Sequence, residues 1–480
     1  MDLSDPEERA ALRRRLGAVF LGRPVICGPG PLAQLTEQVS VLAEVGAERP
    51  LLICTEDGAG AVPEESQAQV VTIETPRFAS VTEELRARDR QVRDLPAPAR
   101  AALDRYDPAG VGVWFAGPFV SDEPIDGRAV LGGRPRPWTQ LEDKLLAEEI
   151  WDAVGCLHAV SRIVAVERDE LDAAGAELDL GHGVVWSGDV REGFNGGGDL
   201  VRWVTDSEER AKAFGFFRAR CDRVRVMPFL EGVPCSIHGM VLDDGVAVFR
   251  PVELAILRNP ARHVFVYGGQ GTFWDPPDAD RDQMRELVRR TGEHLRRWAG
   301  YRGAFGIDGV LTVDGFLPTE INTRLTGGLT GLARAADLAL FQLLQVNLVL
   351  GRDAGLTASQ LESWAVPAMD RYRVGKPVAV SGRRTVEEPT NIAVTWDGRD
   401  LRRADETGPA DDAADDADVM VQVAPSSVGT FARLHPCRVL RPGDRIGPLN
   451  AALMRFLDDE IGTRFGPLEA PPDVRAGVVG

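Results

Sequence analysis

The segment Gly303-Ala-Phe-Gly-Ile-Asp-Gly-Val-Leu-Thr-Val-Asp-Gly-Phe-Leu-Pro-Thr-Glu-Ile-Asn322 constrains this chain more than any other. It reads as two strands joined by a turn at Val313-Asp314-Gly315. Side chains alternate along a strand, so Glu320 and Asn322 share one face. A hairpin brings Asp308 opposite them and sets three hard oxygen donors at one end of a sheet. Mg²⁺ keeps few protein ligands and takes its remaining oxygens from water and phosphates, so Asp308, Glu320 and Asn322 are candidate Mg²⁺ ligands. Arg324, two residues on, offers a planar fork to a phosphate or carboxylate. The chemistry expected of such a segment is that of an ATP-using enzyme.

Composition narrows the setting. A chain of 480 residues that is 44% apolar can hold two to four domains with sizeable cores. A net charge of −18 argues against a nucleic-acid groove, which needs a basic stripe, but local Arg clusters can still bind small anions. Lysine is scarce against arginine: Lys144, Lys212 and Lys376 are the only candidates for ammonium chemistry. Six dispersed cysteines form no C-x-x-C pair or Cys/His cluster, so reduced thiols in a cytoplasmic protein are expected. The acidic N-terminus lacks the apolar core of a signal peptide, and no apolar run is long enough to cross a bilayer.

The pattern predicts α/β and α+β architecture in three parts, at residues 1–139, 140–350 and 351–480. Pro24–Cys27, Leu51–Cys54, Val70–Ile73 and Val111–Phe115 read as buried strands of a largely parallel sheet, with a helix at Leu32–Leu42 between the first two. Gly28-Pro29-Gly30 falls short of a dinucleotide fingerprint and reads as a tight strand-to-helix turn. A Pro/Gly/Arg segment at 131–137 precedes a helix with Leu141, Leu145, Trp151 and Val154 at helical spacing. Strands are expected near 183–186, 225–229, 236–242 and 247–254, then a periodic helix at Arg281–Trp298, the hairpin, and an apolar helix at Leu338–Leu350. Beyond Gly351, strands at Val374–Val380 and Asn391–Trp396, an acidic loop at Ala404–Asp418 and a helix at Leu449–Ile461 close the chain.

Four features then follow in order: Asp143-Lys144 opening a helix, the glycine loop Gly193-Phe-Asn-Gly196-Gly197-Gly198, the hinge Met227-Pro228-Phe-Leu230-Glu231-Gly232, and the hairpin. In this order they resemble the ATP-grasp superfamily over roughly residues 140–345. The resemblance implies a two-subdomain module that clamps ATP, preceded by a pre-ATP-grasp α/β domain and followed by a small C-terminal domain. It assigns Lys144, Gly196 and Gly197 to the phosphates, Met227, Pro228 and Leu230 to adenine, and Asp308, Glu320 and Asn322 to Mg²⁺. Two departures stand out. The second phosphate-contacting lysine, expected near Ser187-Gly-Asp189, is missing, and Arg191 is the candidate replacement. Pro234 stands where an acidic residue often holds the ribose, leaving Glu231 or His238 for that task.

The implied activity is carboxylate–amine ligation through an acyl phosphate, with Arg324 and Arg191 as the catalytic cations. Arg258, Arg262 and His263, ahead of a Gly-rich loop at 268–271, are candidate substrate contacts; Glu253 either joins the metals or caps a salt bridge. The layout also resembles peptide ligases of the pheganomycin type, which implies peptide or amino-acid-derived natural-product biosynthesis. The expected partners are a small-molecule acid and an amine or peptide, with no nucleic acid, no membrane and a homodimer allowed. A small-molecule kinase and a catalytically impaired nucleotide-binding regulator are the competing readings.

Overall fold

The computed structural model describes residues 1–189, 198–404, 419–435 and 439–477. Its N-terminal part is a five-stranded parallel sheet in the order Gln69–Thr72, Leu51–Cys54, Val25–Gly30, Val113–Phe115, Ala129–Leu131. Strands buried on both faces need continuous apolar runs, as Leu51–Cys54 supplies. The strand at 69–72 departs from the sequence expectation. It is an edge strand, mostly exposed, because nothing pairs with its outer side. Gly28-Pro29-Gly30 also differs, continuing the first strand instead of turning out of it, and the helix Leu32–Glu44 follows directly.

A small antiparallel sheet comes next, ordered Arg162–Ala165, Arg223–Pro228, Val184–Gly188, Val201–Val204. Val184, Trp186, Val204, Val224 and Val226 bury one face beneath the helices Arg168–Leu178 and Ser207–Arg218. Alternation leaves Ser187, Val185, Arg225, Met227 and Trp203 on the other face. The single helix expected across Leu141–Val154 is interrupted. A short helix at Arg136–Gln140 gives way to turns, and a second helix runs over Ala147–Ala153. Asp143 breaks the run by accepting the Leu145 N–H with its side chain, the local competition that makes Asp a turn residue.

The largest sheet has eleven strands, and the hairpin strands Gly303–Thr312 and Gly315–Asn322 form one end of it. Phe305, Ile307, Leu311, Phe316 and Ile321 pack against Met284, Leu287, Val288 and Leu295 of the helix Asp278–Ala299. Each such buried side chain contributes about 1.5–3 kcal/mol, so the hairpin's position is strongly fixed. The Gly-rich run 268–271 is not a loop. It belongs to strand Val264–Gly271, paired with Val252–Asn259 on one side and with Gly375–Ser381 on the other. The C-terminal strands therefore extend the same sheet, and the helix Ile446–Ile461 covers it. Glu253 caps that helix: it accepts the N–H groups of Ile446 and Gly447 and pairs with Arg445 at 2.7 Å, away from the hairpin acids.

Residues 405–418 of the acidic segment and Cys437 fall outside the described residues, while the other five cysteines are free thiols. Among the described residues no helix is long and apolar enough to cross a membrane.

Candidate functional site

The hairpin carries Asp308 directly opposite Glu320, and Gly306 opposite Asn322. A bulge makes this register: Gly309 pairs with Pro318, which leaves Thr319 as the extra residue, its hydroxyl donating to the Asp308 carbonyl at 3.2 Å. Proline is tolerated here because Gly315–Asn322 is the edge strand. Gly309 is required by the close approach, since a Cβ there would meet the Leu317 carbonyl oxygen at 2.4 Å. On the other flank of Asp308 the pairing strand Val233–Val241 presents Ser236, then His238 beside Gly306.

Asp308, Glu320 and Asn322 thus converge as the sequence predicted, with the Asn322 amide donating to Asp308 at 2.9 Å. Burial, reinforced by the Glu320 charge, pushes the Asp308 carboxyl up to about 7. Burial also works against the Glu320 carboxylate, but the Lys144 ammonium ion-paired with it more than offsets this and holds its pKa below the usual range. Two crowded carboxylates and an amide oxygen suit a hard divalent cation that would relieve their repulsion. No cluster of three or more His, Cys, Asp or Glu residues suited to a metal occurs among the described residues, so the donor set is two acids and an amide.

Cations surround these acids. Lys144 sits in the turns before Ala147–Ala153 and does not open the helix itself. Arg225, which the sequence reading missed, is 4% exposed and donates to the backbone carbonyls of Lys144 at 3.1 Å and Thr319 at 2.9 Å. It joins the small sheet to the hairpin. Arg324 pairs with Glu142, which Arg134 also engages at 2.7 Å, and its guanidinium lies over the Phe119 ring at 5.5 Å. Arg191, Gly196 and Gly197 lie outside the described residues.

The hinge follows strand Arg223–Pro228. Val185, Met227 and Trp203 lie in one row on the sheet's inner face, and the Trp203 ring stacks on Phe229 with centroids 4.3 Å apart. Gly232 has φ +148°, and a Cβ there would strike the Leu311 carbonyl oxygen at 2.1 Å, so the chain can turn at that point only as glycine. Pro228 and Leu230 flank Phe229, whose N–H donates to Gly183.

Other candidates are committed elsewhere. Both Glu231 carboxylate oxygens bind Arg258 at 2.8 Å, so these two neutralise one another, and Arg258 also pairs with Glu469 at 3.0 Å. His263 pairs with Glu209 on the helix behind the small sheet. Arg258 and His263, with the hinge residues Phe229 and Glu231 and with Trp203, line a cavity of about 410 Å³, and Arg262 belongs to the adjoining turn. His238 is fully buried and packs against Gly306 and Gly328 beside the hairpin acids, not at the hinge. Burial pushes its imidazole down to about 3.

A larger cavity of about 560 Å³ begins beside Arg324. Its walls include Phe119 and Leu325, the carboxyl ends of the N-terminal parallel strands at Gly28-Pro29-Gly30 and Ala116–Val120, the helix Gly327–Ala336, and Lys376 with Arg433 from the C-terminal strands. The crevice beyond the carboxyl ends of parallel strands, where strand order reverses, is a recurrent ligand position in α/β sheets. Here the reversal falls between Val25–Gly30 and Val113–Phe115, which both end in this cavity.

No protein-family model and no curated protein matches the chain by sequence. Solved structures do match its shape. The biotin carboxylase domain dimer of Hydrogenobacter thermophilus 2-oxoglutarate carboxylase, in complex with MgADP, ADP and bicarbonate, is 13% identical and has a TM-score of 0.53, covering 92% of this chain and 90% of that one. Carboxyaminoimidazole ribonucleotide synthase from Aspergillus clavatus complexed with ATP is 14% identical with a TM-score of 0.50, covering 92% and 99%. Phosphoribosylamine–glycine ligase from Thermotoga maritima is 14% identical with a TM-score of 0.50, covering 93% and 98%. At such identities the likeness shows a shared fold over most of both chains.

Proposed function

The chain has the ATP-grasp fold, and on that premise we propose that it is an ATP-dependent carboxylate–amine ligase forming an amide through an acyl phosphate, with ADP and phosphate released. The observation that carries this reading is the Asp308–Glu320 pair, ringed by Lys144, Arg225 and Arg324, with Phe119 beneath Arg324 lining a cavity large enough for an organic substrate. The fold relatives crystallised with ATP, or with MgADP and bicarbonate, support it.

In this reading Asp308, Glu320 and Asn322 hold Mg²⁺, which neutralises phosphate charge when bound. Lys144 turns from Glu320 towards a phosphate, and Arg225 holds the Lys144 loop against the hairpin. Val185 and Met227 supply an apolar face for adenine, and the backbone of Pro228 and Leu230 reads its edge. Gly196 and Gly197 would cover the phosphates. Arg324, at the boundary between hairpin and cavity, steadies charge on the acyl phosphate and then on the tetrahedral oxyanion. No protein nucleophile is needed, because positioning and charge neutralisation account for most phosphoryl-transfer catalysis. The substrates belong to the amino-acid or peptide class, in keeping with a role in natural-product biosynthesis.

The test is product identity. Pairs of amino acids and short peptides are screened for ATP-dependent phosphate release, and ADP, phosphate and amide are quantified together. Equal amounts of the three support the ligase. A stable phosphorylated product without free phosphate makes the protein a kinase.

A further inference from the structure

Of the three lysines in this arginine-rich chain, Lys212 forms an exposed pair with Glu208 on the helix Ser207–Arg218 and Lys144 meets Glu320. Lys376 is the third. It lines the large cavity, its side chain is open to that space, and it forms no ion pair with any described residue. Arg433 lies on the neighbouring strand system and Arg334 on the helix Gly327–Ala336, both lining the same wall. Glu37 is the one carboxylate among them, and Arg334 already engages it at 2.8 Å. Three cations against a single paired acid leave this wall strongly positive.

The charges press on one another. Desolvation and the nearby Arg334 lower the Lys376 and Arg433 pKa values, and the Glu37 carboxylate offsets only part of this in each. A wall that gathers three cations around one carboxylate is stabilised by an incoming anion. Elsewhere in the same cavity stands Glu56, without an ion pair to any described residue, next to the Glu84–Arg88 pair. That acidic region disfavours a ligand carrying negative charge throughout, so the anionic group belongs at the Lys376 end.

We propose that Lys376, Arg433 and Arg334 form an anchor for a carboxylate or phosphate group of the substrate, separate from the carboxylate that reacts beside Arg324. The proposal deepens the ligase reading and rests on it only in calling the ligand a substrate. It makes that substrate a small organic molecule with an anionic group remote from its reacting centre. It also gives the C-terminal strands a direct part in substrate choice, since Lys376 and Arg433 come from them.

Succinate and inorganic phosphate serve as probes, titrated by NMR into the full-length wild type and into Lys376→Met, Lys376→Arg and Arg433→Met. MgADP affinity is measured on the same samples. The expected result is that at least one probe binds the wild type, binds both Met variants at least tenfold more weakly, and regains affinity in Lys376→Arg, while MgADP affinity is unchanged. Which probe binds decides between carboxylate and phosphate. Failure of both probes to bind the wild type, or binding unchanged in both Met variants, overturns the anchor. The ligase reading fails separately if the probes behave as expected and no acid–amine pair yields phosphate.

Discussion

Arg225 stands directly opposite Ser187 on adjacent strands of the small sheet, with both side chains on the inner face. The lysine missing from the end of strand Val184–Gly188 is thus matched by a cation on the neighbouring strand, about one strand spacing away. Its guanidinium is engaged by two carbonyls, one of them on the hairpin.

Replacing Arg225 by Met should lower kcat/KM for ATP by about 10- to 100-fold, because hydrogen bonds to a charged group contribute about 1.5–3 kcal/mol. Arg225→Lys should recover part of it. Steady-state kinetics alongside thermal unfolding checks this: a purely structural role would lower Tm while leaving kcat/KM of the folded enzyme unchanged.

Lys144→Met removes the ammonium that holds the Glu320 carboxylate ionised. The expected outcome is weaker ATP binding by about tenfold or more, as for loss of a charge-assisted contact. Equilibrium titration with ATP measures it; wild-type affinity would make Lys144 only a partner of Glu320.

His238 gives a pH signature of folding. An unfolded histidine takes up its proton near pH 6.5, whereas the buried imidazole stays neutral down to about 3. The unfolded state therefore binds more protons between those values. Its contribution to stability is full above pH 6.5 and is lost as pH falls. Between pH 7 and pH 5 the wild type should lose about 2 kcal/mol more than His238→Gln, by the 1.36 kcal/mol per unit relation. Urea unfolding at both pH values measures the difference, and equal losses would mean that His238 is not held neutral.

Gly309→Ala tests the bulge. The added Cβ meets a backbone oxygen at 2.4 Å, so the strand must shift, at a cost of about 1–3 kcal/mol for overpacking. A drop in urea midpoint is expected, and an unchanged midpoint would show that the hairpin register is looser than described.

The hairpin was legible because its information is local. Alternation, the turn signal Val313-Asp314-Gly315 and three acids or amides at fixed offsets lie within twenty residues, and only the Thr319 bulge was invisible. Arg225 was not legible. Strand 223–228 pairs with 184–188 across an intervening helix, and nothing in its own neighbourhood marks it as a cleft residue. Arg258 misled for a related reason. Its spacing advertised an available cation, while Glu231 and Glu469, distant in sequence, neutralise it. The large cavity was hidden most completely, since Glu37, Arg334, Lys376 and Arg433 meet only when four segments assemble. The one sequence signal pointing there was the scarcity of lysine, which left Lys376 among just three candidates.

Whether the hairpin is the metal–phosphate end of a nucleotide clamp is decided by calorimetric titration of ADP with and without Mg²⁺, in wild type and in Glu320→Gln. Mg²⁺ should tighten ADP binding at least tenfold in the wild type, and this gain should disappear in the variant. ADP affinity indifferent to Mg²⁺ in the wild type, or the same gain in Glu320→Gln, would contradict that role.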